Sequence, residues 1–94
     1  MDPESGLNAV RHIGIRGGRI EAISESPLSG KDVIQAGGSI VAPGFIDLHA
    51  HGQTNEANEY QAHDGVTTAL ELEIGVPSVA AFLKSREGRA LLNF

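Results

Sequence analysis

Apolar and polar positions alternate in short stretches along the first half of the chain. From Asn8 to Ser24, Ile13 and Ile15 are separated by Gly14 and flanked by His12 and Arg16; Arg16-Gly17-Gly18-Arg19 follows, then Ile20 and Ile23. A Gly-Gly pair between two such runs predicts a β-hairpin, its turn residues at positive φ. Ser26-Pro27-Leu28-Ser29-Gly30 reads as a loop. Asp32-Val33-Ile34-Gln35 and Ser39-Ile40-Val41-Ala42 read as two more short strands around an Ala36-Gly37-Gly38 turn. Together they predict a small N-terminal β-sheet over residues 1–43, part of a β-sandwich.

The pattern changes after Pro43. Ala42 to Gly52 alternates like a strand, Glu56 to His63 reads as a short helix, and Val66 to Glu73 alternates again. Gly75-Val76-Pro77-Ser78 starts a second helix, with Pro77 expected in its first turn. Val79, Phe82 and Leu83 fall at i, i+3 and i+4 and predict the face packed on the sheet. Lys84, Arg86 and Glu87 are expected on the solvated face, and Ala90 to Phe94 as the beginning of a third strand. Strand, helix, strand, helix over residues 44–94 is βαβα order. It implies an α/β fold with a parallel sheet and right-handed crossovers.

Composition narrows the function. The chain has 94 residues and a net charge of −5, with a pI near 5.2. This acidity argues against nucleic acid and against an anionic membrane surface as partners. The absence of cysteine excludes a thiolate metal site and fits a reducing compartment such as the cytoplasm. No apolar run reaches the length of a membrane span, and the N-terminus lacks the basic-then-apolar pattern of a signal peptide.

Candidate chemistry gathers in Ala42-Pro43-Gly44-Phe45-Ile46-Asp47-Leu48-His49-Ala50-His51-Gly52. With a period of two, Phe45, Asp47, His49 and His51 share one face, and Ile46, Leu48 and Ala50 the other, which suits a strand covered by helices. Two imidazoles at i and i+2 can grip one divalent ion, and Asp47 can hold a ligand histidine through its ring N–H. A bare His-x-His is more often a pair of satisfied surface histidines. On the second strand, Glu71 and Glu73 share a face and are costly to bury unpaired. Glu73, nearest the strand end, is a further candidate to bind or orient a metal; the alternative is a salt bridge elsewhere in the protein. Gln53, Thr54 and Asn55 suit capping, with substrate contact as the second reading. His63 suits a helix C-terminus and His12 a half-exposed strand position, so neither is taken as a ligand.

The run Pro43-Gly44-Phe45-Ile46-Asp47-Leu48-His49-Ala50-His51-Gly52 resembles the first barrel strand of the amidohydrolase superfamily, metal-dependent hydrolases on a (β/α)8 barrel. Extended to His63-Asp64-Gly65-Val66-Thr67-Thr68-Ala69-Leu70-Glu71-Leu72-Glu73, it looks most like the N-acyl-D-amino-acid deacylase branch. The resemblance implies metal-assisted hydrolysis of a non-peptide C–N (amide) bond, with His49 and His51 as ligands of one or two Zn2+ ions. It implies a small-molecule partner, an N-acyl amino acid or related amide. Related deacylases place a cysteine ligand near the second strand end; this chain departs from that. A whole barrel needs about 250 residues. The chain therefore reads as the N-terminal piece of such an enzyme: a small sheet over 1–43, then the first units of an incomplete TIM-like barrel over 44–94. Met1 is expected to correspond to an internal methionine. The later ligands and the catalytic aspartate would lie elsewhere, so the piece alone is expected to be inactive. The competing readings are a non-catalytic remnant that binds metal weakly or associates through open sheet edges, and a cyclic-amide hydrolase or deaminase of the same superfamily.

Overall fold

The computed structural model describes residues 1–94, which form two compact units, Met1–Pro43 and Gly44–Phe94. In the first, β1 (His12–Arg16) and β2 (Arg19–Ser24) pair antiparallel as the alternation predicts. Gly17 and Gly18 form the turn at φ 57° and 73°. That left-handed region is open to glycine and costly for other residues. The register slips between Gly14 and Ile15, which pair with Ala22 and Ile20 and leave Glu21 as a bulge.

The expected strands at 32–35 and 39–42 do not form. A strand exists by pairing, and besides the hairpin this unit has only an isolated Asp2–Leu7 bridge. Ile34 is 91% exposed and Ile40 78%. The predicted small sheet is thus reduced to a two-stranded hairpin with irregular flanking chain.

In the second unit, β3 (Phe45–Asp47) and β4 (Val66–Ala69) pair parallel. Both strands are shorter than their alternation suggests. The ladder nevertheless continues past them: Leu70 N–H donates to Asp47 O at 2.8 Å and Ala50 N–H to Leu70 O at 3.1 Å. Near the chain's end only Asn93 joins the sheet, in a parallel bridge to Thr68 that lies where a third strand was expected.

Two helices link these rows. Thr54 caps α1 (Asn55–His63), its hydroxyl accepting from Ala57 N–H, so the capping reading holds there. Ser78 caps α2 (Val79–Arg86) in the same way. Pro77 therefore precedes the cap instead of lying in the first turn. The packing face expected of α2 is only partly used: Val79 and Leu83 are exposed, while Phe82 meets Phe94 edge-on at 5.3 Å. Arg86, expected in solvent, is half-buried. Its guanidinium lies 5.6 Å from the Phe94 ring and donates to the side-chain oxygens of Asn55 and Asn58.

The core of this unit is small: Ala50, Ala69 and Leu92, with Val66 against them. Of the face expected under helices, only Ala50 is covered; Ile46 and Leu48 are exposed. At its side stands Asn58, fully buried, donating to Gly52 O at 3.5 Å and Gln61 Oε1 at 3.0 Å and accepting from Arg86 at 3.2 Å. A buried amide is tolerable only with its polar atoms satisfied in this way.

Candidate metal centre

The site is built where the two parallel strands end. β3 stops at Asp47 because the Asp47 carboxylate accepts from the main-chain N–H of His49 at 3.0 Å. A local side-chain bond of this kind withdraws the His49 N–H from the ladder, which resumes at Ala50, and starts a turn. Asp47 therefore shapes the backbone under His49; the expected hydrogen bond to a histidine ring is not the one it makes. The two histidines leave from this turn, not from a continuous strand, yet their rings converge, with centroids 5.1 Å apart. Gly52, at φ 102°, lets the chain pass α1 closely: a Cβ there would lie 2.6 Å from that of Ala57. Asn58 holds the Gly52 carbonyl from the other side.

A similar side-chain bond shapes the bend that follows β4. Glu71 Oε1 accepts from the main-chain N–H groups of Glu73 and Ile74 at 3.3 and 3.1 Å. The bend carries Glu73 over the histidines. Glu73 Oε2 lies 3.0 Å from His49 Nε2 and 2.8 Å from His51 Nε2, and the two nitrogens are 3.2 Å apart. The two acids that alternation placed on one face thus play different parts. Glu73 joins the cluster. The Glu71 side chain, only 8% exposed, lies beneath the loop with Oε2 3.8 Å from His51 Nδ1. Its part is missed by sequence reasoning, as is that of Asn58. An acid two and three residues before the main-chain donors is the one local signal for Glu71; nothing in the pattern marks Asn58.

Two imidazole nitrogens and a carboxylate oxygen are a donor set suited to zinc and similar divalent ions. Their spacing fits as well, since ligands about 2.0–2.1 Å from a tetrahedral ion lie about 3.3 Å from one another. Hydrogen bonding alone serves the triangle poorly. If both Nε2 atoms carry protons to donate to Glu73, two N–H groups face each other; an ion would use all three lone pairs at once. The side chains of His49, His51 and Glu73 are 67%, 50% and 57% exposed, which leaves room for water or substrate beside a held ion. His63 lies outside the cluster, at the exposed end of α1.

The chain is similar to several curated proteins. It is 34% identical over 90 residues to a dihydroorotase of Streptococcus pneumoniae, covering 85% of this chain and 21% of that protein. It is 36% identical over 84 residues to an N-acyl-D-glutamate deacylase of Alcaligenes xylosoxydans, covering 84% and 17%. An allantoinase of Salmonella choleraesuis is 35% identical over 71 residues, covering 66% and 16%. No family model and no solved structure matches the chain. These relatives are hydrolases of the amidohydrolase superfamily, and the deacylase is not singled out among them. The chain spans about a fifth of the length of the curated relatives it matches.

Proposed function

We propose that this chain supplies the first metal-binding residues of an amidohydrolase that cleaves an amide C–N bond, most closely an N-acyl-D-amino-acid deacylase. Residues 1–43 precede the catalytic part, and residues 44–94 are the opening units of its (β/α)8 barrel. The observation that carries this reading is the meeting of His49 Nε2, His51 Nε2 and Glu73 Oε2 within 2.8–3.2 Å. His49, His51 and Glu73 would hold the zinc ion. A zinc ion there would supply Lewis-acid polarisation of the amide carbonyl and activation of a water. The residues of this chain keep the donors aimed and leave the open side to substrate. A general acid–base carboxylate and further ligands are needed to finish the reaction. By this reading they lie outside these residues, and the chain alone takes up metal without turnover. Hydrolysis of a cyclic amide is the second reading, supported by the similarity to proteins named dihydroorotase and allantoinase.

Titration of the purified chain with Zn2+ and Co2+ tests the centre. We expect one ion bound by wild type, and a loss of at least about 100-fold in affinity for His49→Ala or His51→Ala, since each removes a direct ligand. A wild type that binds no ion overturns the reading. Incubation with N-acetyl-D-glutamate and with dihydroorotate is expected to give no product. Turnover abolished by His49→Ala would overturn the inactivity, and the substrate consumed would decide between the two activities.

A further inference from the structure

Resting on the metal-centre reading above, we infer that Glu71 is a positioning residue that aims His51 and Glu73 at the ion together. Its two oxygens face different groups. Oε1 takes the main-chain N–H of Glu73 and of Ile74, which sets the bend that brings the Glu73 carboxylate over the histidines. Oε2 stands 3.8 Å from His51 Nδ1, on the edge of the ring away from the donor triangle. That distance is an electrostatic contact, longer than a hydrogen bond.

A carboxylate has only acceptors to offer. Beside Nδ1 it favours the tautomer with the proton on Nδ1, which leaves the Nε2 lone pair free for a metal. It also fixes the plane of the ring. Glu71 is almost completely covered while Glu73 is more than half exposed, and a covered carboxylate persists only where polar groups meet it. His49 has no such partner beyond the turn under its main chain: Asp47 accepts from its amide, not its ring. Of the two histidines, His51 is the one with a carboxylate beside its Nδ1.

Glu71→Gln separates this role from mere loop building. The amide oxygen of glutamine can still accept the two main-chain N–H groups, but its NH2 then faces Nδ1. A donor there favours the opposite tautomer, with the proton on Nε2 where the metal must bind. Two measurements on the full chain read the effect. Long-range 15N–1H spectra of the metal-free chain should show His51 as the Nδ1–H tautomer in wild type and shifted toward Nε2–H in Glu71→Gln, with circular dichroism unchanged. Zinc titration should show an affinity 10- to 100-fold lower in Glu71→Gln, the usual cost of removing a group that orients a ligand. Glu71→Ala, which loses the bend as well, should bind no better than Glu71→Gln. A wild-type chain that binds zinc while Glu71→Gln matches it in affinity and tautomer overturns the role of Glu71 and leaves the centre standing. A wild type that takes up no zinc overturns both.

Discussion

The β1–β2 hairpin and the β3–β4 pair are built from the same ingredient, alternating apolar residues, and they turn out differently. In the hairpin, the two partners are joined by two residues, and the ladder follows the alternation from end to end apart from the bulge at Glu21. In the parallel pair, eighteen residues including α1 separate the partners, and each strand breaks off early. Asp47 takes the His49 N–H out of the ladder at the end of β3, and Glu71 binds the N–H groups of Glu73 and Ile74 in the bend beyond β4. The lesson is that local turn chemistry decides the hairpin, whereas the functional end of the second unit is decided by side chains that take the backbone out of the sheet.

That contrast can be broken by substitutions confined to one unit. The largest effect is expected for Asn58→Leu, which removes a fully buried amide and with it one of the two side-chain acceptors of Arg86 and the donor to the Gly52 carbonyl. The unit around β3 and β4 should lose about 2–3 kcal/mol, read as faster amide exchange there, with the β1–β2 amides unmoved. Equal loss of protection in the hairpin would show that the units do not open separately. Next is Gly18→Val. A β-branched residue at φ 73° should weaken the hairpin by about 1–2 kcal/mol and leave zinc affinity unaltered. Arg16→Ala is the smallest. It removes an exposed 3.0 Å ion pair with Glu21 and should change hairpin protection by under about 1 kcal/mol, an effect that 0.5 M salt should erase.

Legibility from sequence follows the same division. The Gly17-Gly18 turn announces the hairpin because two residues contain the whole instruction. Thr54 and Ser78 announce the helix starts for the same reason. Val33, Ile34, Ile40 and Val41 mislead, because alternation marks a capacity to pair and says nothing of whether a partner is at hand. The histidine pair is legible as a candidate, and its rings converge, but the strand expected to carry it ends at Asp47. Glu71 and Glu73 could not be separated by pattern: their difference arises from a bend that Glu71 itself makes. Asn58 and Arg86 could not be seen at all, since their bonds join positions about thirty residues apart on two helices.

The donor triangle also has a bearing on cohesion. His51 and Glu73 lie 22 positions apart, on two loops whose unit buries only Ala50, Ala69 and Leu92 as apolar core. A cation held there would act as a clasp across that span, and its uptake would be coupled to folding. At a free concentration one hundred times the dissociation constant, the coupling adds about 2.7 kcal/mol, on the order of what the burial of one large aliphatic side chain contributes. For so lightly packed a unit, the ion would be a structural member as much as a reagent.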